Sequence, residues 1–166
     1  PLTAKPMFSF YSPQALHFGR GQAAQTAALA AGFGLRVLIV HGSNAARAAW
    51  LIEDCHAAGL SVVSEGCGAE PSLPALEAAL GRIGADQPDV LIAVGGGSVI
   101  DFAKALAALI PCAKAPLEYL EGVGGGKPLD TAPLPMIALP TTAGTGAEVT
   151  KNAVIAVPEH GVKVSL

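Results

Sequence analysis

Residues 90–109 read VLIAVGGGSVIDFAKALAAL. A continuous apolar run, the pattern of a strand buried on both faces, ends at Gly95-Gly96-Gly97. From Ser98 onward the spacing changes: Val99, Phe102, Ala103, Leu106, Leu109 and Ile110 follow the i, i+3, i+4 rhythm of a buried helix face. The stretch therefore reads as strand, glycine turn, helix. In open α/β sheets ligands collect beyond the carboxyl ends of the strands. A helix N-terminus at such a place offers unpaired N–H groups and a partial positive charge. Glycines remove the Cβ atoms that keep a phosphate away from the backbone. Gly96, Gly97 and Ser98 are so placed. A plainer reading fits the same residues. Ser98-x-x-Asp101 has the spacing of a capping box, and glycine-rich turns also arise for packing. The stretch has neither GxGxxG spacing nor a P-loop lysine. Asp101 and Lys104, three apart, read as an exposed ion pair along the helix.

The same alternation runs along the chain. Further strands are expected at 35–40 (LRVLIV), 60–64 (LSVVS) and 136–139 (MIAL). Helices are expected over 43–58, with Ser43 or Asn44 as cap and Gly59 as the left-handed residue after the end, and over 72–84, capped by Ser72. Strand and helix in this order predict one α/β domain over 1–166, a doubly wound, mostly parallel Rossmann-like sheet with a short β excursion at the C-terminal end. The Pro- and Gly-rich connection 111–135 reads as a surface excursion with one helical turn at LEYL.

Composition narrows the function classes. The 166 residues are 51% hydrophobic and 14% charged, with a formal net charge of −3, which gives no reason to expect nucleic acid or an anionic membrane as partner. Apolar runs of four to five residues are far too short to span a bilayer, and no basic-then-apolar signal segment is seen. Cys55, Cys67 and Cys112 are isolated and odd in number, as expected of reduced thiols in a cytoplasmic protein. His17, His41, His56 and His160 are scattered and suggest no metal cage.

A second stretch, PMIALPTTAGTGAEVTKN at 135–152, sends a strand into a loop carrying Thr141, Thr142, Thr145 and Thr150. Hydroxyls at that end of a strand can bond a ribose, a carboxamide or a diphosphate without adding charge. They can equally cap their own turn. Because this loop follows the next parallel strand after the glycine turn, the two should face one crevice.

GGGSVIDFAKALA at 95–107 followed by PLPMIALPTTAGTGAEVTKNAVI at 133–155 resembles the iron-containing alcohol dehydrogenase family. FGRG at 18–21, EPSLPALE at 70–77 and GVKVSL at 161–166 extend the resemblance over the chain, which corresponds to the N-terminal, cofactor-binding half of such an enzyme. The resemblance implies a nicotinamide dinucleotide, NAD or NADP, and a small alcohol or aldehyde as partners, with a homodimer possible in principle. It implies that Gly95, Gly96, Gly97 and Ser98 hold the diphosphate, that Asp101 belongs to the same site, that Thr141, Thr142 and Thr145 line the cofactor, and that Thr150, Asn152 and Lys163 touch it. The metal of such enzymes, Fe2+ or Zn2+, is held in a helical domain that nothing in this chain matches, so the chain alone is expected to be inactive. A free-standing α/β binding module without catalysis is the alternative.

Two positions depart from the family pattern. Gly42 stands where many NAD-using members carry an aspartate that reads the ribose 2′-hydroxyl. With Ser43, Asn44 and Arg47 beside it, Gly42 leaves room for a 2′-phosphate, which inclines the site toward tolerating NADP. Ser72 stands where asparagine is common, and its shorter side chain weakens the expectation of a cofactor contact there.

Overall fold

The computed structural model describes residues 11–166. Four strands form one parallel sheet: β1 (Arg36–Gly42), β2 (Ser61–Cys67), β3 (Val90–Gly95) and β4 (Met136–Pro140), in the order β2-β1-β3-β4. The helices are α1 (Thr26–Ala31), α2 (Ala49–Ala57), α3 (Leu73–Ile83) and α4 (Gly97–Leu109). An antiparallel hairpin, β5 (Val154–Val157) with β6 (Val162–Ser165), supplies the short β excursion at the C-terminal end.

Alternation along the central strands divides the core in two. Leu38, Val40, Leu91 and Ala93 project to the face covered by α3 and α4, while Val37, Ile39, Val90 and Ile92 project to the face covered by α1 and α2. Both faces are dry, which is why the strands read as continuous apolar runs rather than alternating ones. The sheet is doubly wound as expected.

Three details differ from the sequence expectations. The helix expected over 43–58 is a 3-10 turn, Ala45–Ala48, followed by α2, and its cap is Asn44, whose side chain accepts from Ala46 N at 3.0 Å. Helix α4 is buried well beyond one stripe, because Ile100, Ala105, Ala107 and Ala108 are also enclosed. The connection 111–135 is not simply a surface excursion. Tyr119 and Leu120 join the core, Tyr119 OH donates to Asp130 Oδ2 at 3.0 Å, and Leu134 N donates to Ala107 O at 2.9 Å. Composition shows the turn residues of this segment and not the two apolar anchors that fold it back onto the core beside α3. Gly59 (φ 79°) and Ser72, which caps α3 by accepting from Ala75 N, stand as expected.

Strands β1 and β3 are also tied at their entry. Asp89 accepts from the backbone N–H groups of Leu35 and Arg36 and from the Arg36 guanidinium, at 2.9–3.0 Å. Gly34, at φ +155°, lets the carboxylate in, because a Cβ there would lie 2.4 Å from Asp89 Cβ. The Arg36 side chain, then its backbone N–H, holds the Asp89 carboxyl down to about 2 from an ordinary 3.8.

Candidate functional site

Strands β1 and β3 pair in parallel as far as His41 opposite Val94. Beyond that point the chain leaves β1 toward α2 on one face and leaves β3 toward α4 on the other. That divergence marks the carboxyl edge of the sheet, between Gly42 and Gly95, as the place where ligands of such sheets bind.

The glycine turn lies at this edge. Helix α4 begins at Gly97 with Gly96 as N-cap, and no side chain caps it. The capping-box reading of Ser98 and Asp101 is therefore corrected: the N-cap is Gly96, two residues before the Ser98 that the motif requires. The first N–H groups of α4, on Gly97 and Ser98, have no intrahelical partner and point outward at an edge where Ser98 is exposed. Gly95 is a packing glycine, since its Cβ would lie 2.5 Å from Val99 Cγ2.

The threonine loop faces the turn, as expected. Thr141 N donates to Gly95 O at 2.9 Å, continuing the pairing of Gly95 with Pro140. A Cβ on Gly96 would lie 3.0 Å from Thr142 Oγ1, and one on Gly97 would lie 3.3 Å from Thr145 Cβ. The missing side chains thus admit the threonines to the turn. Thr141, Thr142, Thr145 and Thr150 are all exposed. Thr145 Oγ1 also accepts from Ala147 N at 3.3 Å, so part of its capacity stabilises its own loop.

Asp101 and Lys104 form the expected ion pair at 3.1 Å, but the pair is largely buried, with side-chain exposures of 18% and 9%. Lys104 Nζ also donates to Thr150 Oγ1 and to Asn152 O, both at 3.0 Å. Asp101 Oδ2 accepts from Val154 N at 3.2 Å. Both oxygens of Asp101 are thus engaged within the protein, which corrects its picture as an exposed surface group. In the threonine loop Glu148 Oε2 is buried without a hydrogen-bond partner, the one such side-chain atom among the described residues.

At the β1 end, a Cβ on Gly42 would meet nothing within 4 Å, and one on Gly68 would sit 3.7 Å from Ser43 Cβ. Asn44 caps the following turn. That leaves the Ser43 hydroxyl exposed and without a capping duty. Cys67, buried at the end of β2, donates its thiol to Ala69 O at 3.1 Å and approaches Ser98 O at 3.6 Å, fastening β2 to the start of α4. Burial pushes this thiol up from its ordinary range, as expected of a packing residue rather than a nucleophile.

The family model for iron-containing alcohol dehydrogenase matches residues 13–166. The chain belongs to the iron-containing alcohol dehydrogenase family. Among curated relatives, the mitochondrial hydroxyacid-oxoacid transhydrogenase of Caenorhabditis elegans is 42% identical over 101 residues, covering 58% of this chain and 21% of the relative. Among solved structures, an archaeal halo-thermophilic Red Sea brine pool alcohol dehydrogenase superposes with a TM-score of 0.83 at 26% identity, covering 99% of this chain and 44% of that one. Sulfoacetaldehyde reductase from Bifidobacterium kashiwanohense, in complex with NAD+, gives a TM-score of 0.80 at 26% identity, covering 98% and 43%. The chain thus spans less than half the length of the family members it matches.

Within this family member the structure gathers most of the expected residues at the carboxyl edge of the sheet: Gly95, Gly96, Gly97 and Ser98 with Thr141, Thr142 and Thr145, and Gly42 with Ser43 at the neighbouring strand end. Thr150 and Asn152 are joined to the same unit through Lys104. Lys163 is exposed on β6 and pairs with Glu70 at 2.7 Å. The Ser72 hydroxyl is taken up by the cap of α3. In the sequence Lys104 is explained locally by its i, i+3 aspartate. The long-range acceptors that change its meaning, at Thr150 and Asn152, leave no mark in sequence spacing.

Proposed function

We propose that this chain is the dinucleotide-binding half of an oxidoreductase that moves hydride between a small alcohol or aldehyde and NAD(P). The observation that carries the reading is the uncapped N-terminus of α4, opened by Gly96 and Gly97 and faced at contact distance by Thr142 and Thr145. An uncapped helix end with exposed N–H groups suits a diphosphate, and hydroxyls beside it suit the ribose and carboxamide. The NAD+ complex of the Bifidobacterium reductase, of similar fold, supports the same ligand here.

The residues fit the cofactor in chemistry as well as place. Gly97 N and Ser98 N donate to phosphate oxygens, and the Ser98 hydroxyl adds a further donor. Thr141, Thr142 and Thr145 bond the sugar and amide groups and order the loop over them. When bound, the nicotinamide ring supplies the hydride acceptor or donor. Among the described residues no group of three or more His, Cys, Asp or Glu side chains is placed to hold a metal ion, so no step is assigned to a metal on this chain.

The parent protein, as its gene encodes it, should quench or shift NADH or NADPH fluorescence on binding in the micromolar range, about −8 kcal/mol. A protein that binds neither reduced dinucleotide at millimolar concentration overturns the reading.

A further inference from the structure

Two loops make the proposed cofactor site, and they come from different parts of the chain. The threonine loop is attached to the glycine turn at both of its ends. At its start Thr141 N donates to Gly95 O. At its end Lys104, one helical turn beyond Asp101 on α4, donates to Thr150 Oγ1 and Asn152 O. Both anchors lie on the single unit β3–turn–α4.

Between the anchors Ala147 packs into the core and Val149 N donates to Gly146 O, yet the same stretch carries two features that cost free energy. Gly144 and Gly146 stand at φ 95° and 65°, a conformation bought with backbone freedom in the unfolded chain. Glu148 Oε2 is enclosed without a partner, which costs free energy in the placed loop. The bonds made by the Lys104 ammonium at the end of the loop offset this cost. The Lys104 side chain is only 9% exposed, and its three donors meet three acceptors: Asp101 Oδ1, Thr150 Oγ1 and Asn152 O.

We infer that Lys104 is a positioning residue for dinucleotide binding, setting the distance between the threonine loop and the glycine turn. The inference rests on the proposed reading of the site. Lys104 itself touches no ligand, because its donors are spent. It also orients the Thr150 hydroxyl. That oxygen accepts from Lys104, and its proton goes to Ala147 O at 3.3 Å. Thr150 is left with acceptor capacity alone, so its partner on the dinucleotide is a donor, a ribose O–H or a carboxamide N–H, and not a phosphate oxygen.

The test is a fluorescence titration of the gene-encoded protein with NADH and with NADPH, parent beside Lys104→Met, which keeps an apolar stem and removes the ammonium. The expected result is a dissociation constant raised by about tenfold or more, with the binding stoichiometry of the folded protein retained. A purely structural lysine would reduce the number of competent sites and leave their dissociation constant within about threefold of the parent, and that result overturns the proposal. Should Lys104→Met fail to fold, Asp101→Asn takes its place. It weakens the hold on the ammonium and withdraws the acceptor from Val154 N, and the same two outcomes decide. A parent that binds neither dinucleotide removes the reading of the site and the role of Lys104 together. A parent that binds, with variants indistinguishable from it, removes the role of Lys104 alone.

Discussion

Gly97 and Thr145 are in contact at the carboxyl edge of the sheet: a Cβ on Gly97 would lie 3.3 Å from both Cβ and Cγ2 of Thr145. The glycine therefore admits the threonine loop, and on the proposed reading it also admits a ligand to the backbone N–H groups. Gly97→Ala should displace Thr145 by a few tenths of an ångström and weaken dinucleotide binding by about threefold. Gly97→Val, which adds branches in the same direction, should weaken it by at least about tenfold, ~1.4 kcal/mol, with the circular dichroism spectrum retained. Affinity unchanged in both variants would remove the turn from the binding site.

On the proposed reading of the site, the first strand decides cofactor choice. Space beside Gly42 is open, so Gly42→Asp places a carboxylate at the strand end without steric cost. The parent should bind NADPH at least as well as NADH, since Asn44 rather than Ser43 caps the turn and the Ser43 hydroxyl stays available to a 2′-phosphate. The variant should favour NADH, because its carboxylate accepts from a 2′-hydroxyl and repels a phosphate. Paired titrations at one salt concentration check both, and a parent that prefers NADH by more than about tenfold refutes the inference from Gly42.

Acid should loosen the entry of β1 and β3. Asp89 is depressed to about 2 in the folded protein, from an ordinary 3.8. A group with a lowered folded value binds fewer protons folded than unfolded in that interval, so its stabilising contribution is full above about pH 5 and fades as pH falls toward 2. The parent melting temperature should drop over this window more steeply than that of Asp89→Asn, which has no charge to lose. Parallel slopes would show that the Arg36 contact contributes nothing to folding.

Ser72→Ala should cost about 0.5–1 kcal/mol in chemical denaturation, the usual loss for an N-cap, through the bond that Ser72 makes to Ala75 N. Dinucleotide affinity should not change, because that hydroxyl is committed to α3. A loss of affinity with stability intact would return Ser72 to the cofactor site.

Much of this chain is legible without coordinates. The run VLIAVGGGS announces strand, turn and helix because burial on both faces of a parallel sheet demands continuous apolar residues, and because a tight strand-to-helix turn demands glycine. Ser72 and Gly59 mark helix ends through bonds made within a few residues, and such local chemistry is written in local spacing. The facing of the glycine turn and the threonine loop is also suggested by order, since all parallel strands end at one edge, although only the fold makes β3 and β4 neighbours while the equally consecutive β2 and β3 are parted by β1.

What spacing could not show are relations set by packing between distant segments. Lys104 reads as half of an i, i+3 pair, and only the folded chain brings Thr150 and Asn152 to its remaining donors. Tyr119 and Leu120 sit in a stretch whose prolines and glycines suggest a surface loop, yet they are core, because that loop folds back against α3 and joins the cluster between the sheet and its helices. The start of α4 at Gly97 rather than at a Ser98 cap was likewise decided by tertiary contact. Val99 packs against Gly95, Thr142 and Thr145 pack beside Gly96 and Gly97, and no side chain caps the helix end. Sequence determined the elements and their order, through local hydrogen bonds and the period of apolar residues. Tertiary structure alone decided which polar groups are spent holding the loops together and which remain for a ligand, because a hydrogen bond across tens of residues depends on where the two segments meet.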